Sequence, residues 1–155
     1  MMGFVRRFFV PIALVAMAAC SSATPSPTSP SGNGNPTASV TLSGTYAGSV
    51  SDSSGAGTMT WTVSQSAGSV TGPVTAKTAL GIVVFTGSLA GTLTGASLTF
   101  KITVPAGGVS GFPDCNATID GTAPAVSNST ISGTYTGTSS CAGAFTDGRF
   151  NLAKQ

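Results

Sequence analysis

The stretch Thr58-Met59-Thr60-Trp61-Thr62-Val63-Ser64 alternates without a break between apolar and hydroxyl-bearing residues. Successive side chains of an extended strand point to opposite faces. Met59, Trp61 and Val63 therefore share one face, and the three threonines and Ser64 share the other. This is the signature of a half-buried β-strand, not of an amphipathic helix, whose apolar positions recur every three to four residues. Leu98-Thr99-Phe100-Lys101-Ile102-Thr103-Val104 repeats it, with its apolar residues on one face and Lys101 on the wet side. Leu42, Gly44, Tyr46, Gly48 and Val50 keep the same phase.

Turn signals separate these runs: Ser53-Ser54-Gly55, Ala67-Gly68, Gly95-Ala96, Gly107-Gly108 and Pro124 to Asn128. The spacing predicts about eight strands, near 42–51, 57–66, 69–77, 82–93, 97–105, 115–123, 129–138 and 143–153. No segment carries a helical stripe. The expected fold is all-β, a single antiparallel meander over residues 40–155. A meander hides its edges best by closing into a small barrel. Small residues in the inward phase, Gly44, Gly48, Gly133 and Gly137, permit tight curvature.

Leu42-Ser43-Gly44-Thr45-Tyr46-Ala47-Gly48-Ser49 is echoed by Ile131-Ser132-Gly133-Thr134-Tyr135-Thr136-Gly137-Thr138. The echo predicts equivalent orientations for Tyr46 and Tyr135. Core packing is the simpler role for both and for Trp61; a ligand-binding role, if the interior is hollow, falls on these three residues.

Charge and chemistry exclude much. The chain holds no histidine and no glutamate, which removes a Ser-His-Asp triad, a Cys-His pair and a His-ligated zinc site. Beyond Arg6 and Arg7, the cations Lys77, Lys101, Arg149 and Lys154 balance Asp52, Asp114, Asp120 and Asp147. Such a neutral domain has no electrostatic footprint for nucleic acid. Lys101 and Arg149 read as outward charges that discourage edge pairing. Asp114, Asn116 and Asp120 read as a solvated strand end, because calcium loops space their acids more tightly around a turn glycine. The glycine-rich run Gly87 to Gly95 lacks the following helix of a phosphate loop. No catalytic residue, metal site or cofactor is expected.

Cys115 and Cys141 are an even pair once Cys20 is set apart. A hairpin about residues 124–128 places Cys115 opposite Thr138, close to Cys141, so a disulfide is expected. Closing a loop of this length stabilises a fold by about 3.5 kcal/mol in the chain-entropy account.

The N-terminal segment sets the address. Arg6-Arg7 precede the apolar stretch Phe8 to Ala19, which is too short for a spanning helix of about 20 residues. Met17-Ala18-Ala19-Cys20 follows, and the whole resembles a bacterial lipoprotein signal peptide, with methionine where leucine is usual. The resemblance implies that residues 1–19 are removed and that Cys20 becomes a lipid-modified first residue carrying acyl chains such as palmitate. Two or three chains hold a protein on a membrane, at about 0.8 kcal/mol per buried methylene. The serine at position 21 implies the outer membrane, facing the periplasm or the surface, if the cell is Gram-negative. Residues 20–39 then form a lipidated cysteine and a Ser/Thr/Pro-rich tether, in which Pro25, Pro27, Pro30 and Pro36 block helix.

The domain itself resembles the meander barrels of the lipocalin and avidin type, which open on a Gly-x-aromatic strand. Gly44-Thr45-Tyr46 fills that place, with tyrosine where those families carry tryptophan. Their ligand-binding residues have no counterpart here. The functional expectation is a membrane-tethered envelope module that binds a small ligand or an envelope protein, or serves structurally. The alternatives are, second, a barrel-type inhibitor of an envelope or secreted enzyme, using an exposed loop such as Ala106 to Asp114, and, third, an enzyme working through its scattered aspartates. An interior lined as a pocket favours the first. An interior filled by Trp61, Phe85, Phe100 and Phe150 leaves function to the loops.

Overall fold

The structure, a computed structural model, describes residues 39–155. Cys20, the signal segment and all of the tether but its last residue lie outside the described residues. Eight strands follow one another: β1 Gly44–Asp52, β2 Gly55–Ser66, β3 Ser69–Thr78, β4 Val83–Thr94, β5 Ser97–Val104, β6 Ala117–Ala123, β7 Thr130–Ser139 and β8 Gly143–Lys154. Each pairs antiparallel with its neighbours in sequence, and β1 pairs with β8, so the sheet closes into a barrel. The expected meander is borne out. Closure leaves no free edge, so Lys101 and Arg149 guard none. Lys101 instead lies across from Asp120 on β6, at 2.7 Å. Both side chains are more than half exposed, so the pair adds little to stability.

The alternation of apolar and hydroxylated residues becomes an inside and an outside. Along β5 every second residue is buried, from Leu98 to Val104, and the intervening ones are exposed. The outer wall is dominated by threonine and serine, stacked across strands in rows such as Thr92, Thr99, Thr122 and Thr134. Cross-strand threonine pairs suit a solvated sheet face. A membrane-spanning barrel carries its apolar band outside; here the apolar face is the interior.

One end of the barrel is filled. Trp61, Phe100 and Phe150 form a triangle with ring centroids 4.9, 5.2 and 5.5 Å apart. Leu42, Ile131, Leu152 and Leu98 pack around it, all fully buried. The chain enters the barrel at this end, where the Leu42 N–H donates to the Gln65 side-chain oxygen at 2.6 Å. Val126, from the β6–β7 connection, dips into the same end and donates its N–H to the Ala96 carbonyl at 2.8 Å.

Tight coiling of the wall needs glycine at particular places. A Cβ at Gly48 would collide with the Asn151 backbone, and one at Gly133 with the Thr122 carbonyl. The inward phase of these two glycines is thus a consequence of strand crossing, as their sequence placement suggested. Gly44 differs: its open side is filled by the Lys154 side chain.

The dip of Val126 also moves the β6–β7 register. Ala117 pairs with Ser139 and Thr122 with Thr134. The hairpin is therefore shifted three residues from the one expected about 124–128, which put Cys115 opposite Thr138. The shift brings Cys115 level with Cys141, and the two form a disulfide with Cα atoms 5.7 Å apart. The pairing stands; its register is corrected, because the connection spends residues on burying Val126.

Candidate functional site

The other end of the barrel is open. Its rim consists of the β1–β2 turn at Ser53-Ser54, the β3–β4 turn, the long β5–β6 connection and the β7–β8 turn. Inward residues shrink toward this end: Gly57 on β2, Ala76 on β3 and Ala117 on β6 stand where the filled end carries Trp61 and Phe100. The result is a cavity of about 320 Å³. Met59, Ile119, Tyr135, Phe85 and Phe145 line it, with Val109 from the β5–β6 connection.

Two bulges aim side chains into this space. On β8, Phe145 pairs with Gly137 and Gly148 with Tyr135, so Thr146 and Asp147 oppose one residue. Asp147 takes the left-handed backbone conformation, with φ of 60°. The extra residue reverses the strand's phase, which turns both Phe145 and Phe150 inward although they are five apart. A second irregularity, between Ala76 and Lys77 on β3, brings Val84 to the cavity wall.

The β5–β6 connection is strapped to β4 rather than free. Thr86 donates its N–H to Gly108 at 2.8 Å, and Ser110 donates to Val84 at 2.9 Å. Val109 bridges to Phe85. The disulfide holds the far end of the same connection. The exposed large apolar residues among those described, Leu80, Ile82, Val83, Val84 and Phe112, all stand at this rim; Leu80 is 88% and Phe112 60% exposed. Their clustering is informative, because scattered single exposures are ordinary whereas contiguous apolar patches mark contact sites.

One polar pair sits in the cavity wall. The Tyr135 hydroxyl donates to Asp52 Oδ2 at 2.8 Å, and Asp52 Oδ1 accepts the Ser54 N–H at 2.7 Å. Burial raises the Tyr135 pKa far above the ordinary tyrosine value, and the Asp52 hydrogen bond and negative charge push it the same way. The phenol therefore stays protonated. Ser53 ties the turn to the β8 bulge, donating its N–H to Thr146 at 3.0 Å.

Of the three candidate binding residues, only Tyr135 lines the cavity. Trp61 lies beneath its floor, donating its indole N–H to the Met59 sulfur at 2.8 Å. Tyr46 is buried at the filled end, where its hydroxyl donates to the Asn128 carbonyl at 3.0 Å; burial raises its pKa as well. The echoed segments thus share a face but not a height: the two hydroxyls reach opposite ends of the barrel. Asp114 lies in the β5–β6 connection, and Asp120 faces outward beside Lys101, so the acidic cluster read from sequence does not converge. A second, more open hollow of about 470 Å³ runs along the outer wall, where Gly121 and Gly148 bare Phe100 and Tyr135 between rows of threonine.

Fold and site together define a closed eight-stranded meander barrel, filled at one end and hollow at the other. No family model matches the sequence, and no curated protein matches it. Solved structures do match in fold. One is EF1p2_mFAP2b bound to DFHBI, with a TM-score of 0.56 and 17% identity, covering 74% of this chain and 94% of that one. Another comes from the de novo design of a fluorescence-activating β-barrel, with a TM-score of 0.51, 14% identity and the same coverage. At such identity the likeness is one of fold.

Proposed function

We propose that this chain is a lipid-anchored module of the cell envelope that holds a small apolar molecule in the open end of its barrel. The observation that carries the reading is the mouth cavity of about 320 Å³, walled by apolar side chains and rimmed by exposed ones. Its volume falls at the small end of ligand pockets. The match to a barrel described as bound to DFHBI supports the view that this architecture can seat a small molecule. The chain acts by binding, not catalysis: no histidine or glutamate is available, and the site's one carboxylate is engaged with Tyr135 and Ser54.

Anchorage rests on Arg6-Arg7, the apolar stretch and Cys20. Membrane fractionation tests it: Cys20→Ala releases the protein from the acylated membrane pool, and unchanged acylation and fractionation would refute the anchor. Ligand binding is read from the Met59 methyl group, which lies on the cavity wall, during titration with 1-octanol. A second reading, inhibition of an envelope or secreted enzyme, is favoured by the exposure of Phe112, Leu80 and Ile82 on the rim. It predicts a partner complex abolished by Phe112→Ser and indifferent to filling the cavity.

A further inference from the structure

The hydrogen-bond arithmetic of the cavity restricts what it can accept, given the binding reading above. A tyrosine hydroxyl has one proton to donate, and a carboxylate has none. The Tyr135 proton is spent on Asp52 Oδ2. The Ser54 N–H is already taken by Oδ1. What this pair has left to offer a guest is acceptor lone pairs and one negative charge. The raised Tyr135 pKa agrees, since it keeps that proton in place. We propose that the cavity selects by the guest's polar end: it takes an apolar small molecule ending in a hydroxyl or amine, and rejects the same molecule ending in a carboxylate or phosphate.

Other polar groups do not reverse the balance. The Ser54 hydroxyl can donate or accept; those of Thr78 and Ser139 accept the Ile82 and Cys141 N–H groups at 3.2 and 3.3 Å and keep a proton to donate, but all three are neutral and carry no charge to offset that of Asp52. The cation that lines the cavity is Lys77, whose side chain is exposed at the rim beside the β3 irregularity. It is a solvated charge at the entrance, whereas Asp52 is half-buried and fixed by two hydrogen bonds. Size narrows the class further. At about 30 Å³ per water in the liquid, the cavity volume corresponds to roughly ten waters. A medium-length aliphatic chain or a compact aromatic fits, and a full-length fatty acyl chain does not.

The test uses the chain with its native N-terminal segment in lipid nanodiscs, reading the Met59 methyl resonance. Octylamine, 1-octanol and octanoate are titrated in turn. The amine and the alcohol are expected to bind at least about tenfold more tightly than the carboxylate, the scale of one charge-assisted hydrogen bond gained or one like-charge contact avoided. Asp52→Asn keeps an acceptor for Ser54 but replaces the charge with an amide that also donates. It is expected to erase most of the preference. Comparing the amine-to-carboxylate ratio between the two proteins cancels the partitioning of each probe into the bilayer. Equal binding of octylamine and octanoate by the unaltered protein would overturn the selectivity while leaving the binding reading intact. A preference for octanoate that Lys77→Ala abolishes would overturn it too, and assign selection to the rim. If none of the three probes shifts Met59, the binding reading itself fails.

Discussion

Removing the Cys115–Cys141 bridge should weaken the barrel by a calculable amount. The bridge spans 26 residues. In the chain-entropy account, a loop of that length costs the unfolded chain about 12 cal/mol/K, or about 3.5 kcal/mol at 25 °C. The strands it joins already pair, from Ala117 opposite Ser139 to Thr122 opposite Thr134, and the connecting loop is separately bonded to β4. The folded state should therefore survive, with the loss falling on stability. Equilibrium unfolding in urea, comparing Cys115→Ala/Cys141→Ala with the oxidised protein, measures it. With m of about 1.5 kcal/mol/M for a domain of this size, the midpoint should fall by about 2 M. Coincident midpoints would refute the reasoning, and so would a variant that no longer shows the β-sheet spectrum.

The aromatic triangle and the tyrosine pair give further tests. Phe100→Ala removes a ring that touches Trp61 and Phe150 and shields Gly121; it should cost about 3–5 kcal/mol in urea unfolding, and a loss below about 1 kcal/mol would contradict the filled end. Tyr135 has a folded-state pKa above its unfolded value, so its contribution is fully present below pH 10 and is lost as pH rises through the folded-state pKa. Above pH 10 stability should fall by up to about 1.4 kcal/mol per pH unit for this group, less the screening of its partly exposed hydroxyl. The stability gap between the unaltered protein and Tyr135→Phe should close across that range, and a constant gap would contradict the pairing with Asp52.

The strand order was legible because each strand announces its own face. Thr58 to Ser64 and Leu98 to Val104 alternate cleanly, and the turns between strands carry glycine or serine. Phe145 and Phe150 hold the trace of what was less legible. Five residues apart, they cannot share a face of a regular strand, so their common burial requires the bulge at Thr146-Asp147. The disulfide partners were readable once Cys20 was set apart and a hairpin was drawn between them. Their register was not, because it depends on Val126 folding into the core, a tertiary choice made against Ala96. The cavity was hidden for a related reason. Gly57, Ala76 and Ala117 are ordinary small residues in sequence, and only barrel closure places all three at one end. The asymmetry that makes a site is thus a matter of height along the barrel, which period-two alternation does not encode.

The proposed binding function rests on the open mouth of the barrel. Titrating 1-octanol against the Met59 methyl resonance tests it most directly, alongside Ala76→Phe, which fills the cavity from its own wall. The account predicts a saturable shift in the unaltered protein and none in the filled variant, with both folded by their melting curves. A shift that fails to saturate, or one that the two proteins share, would contradict it.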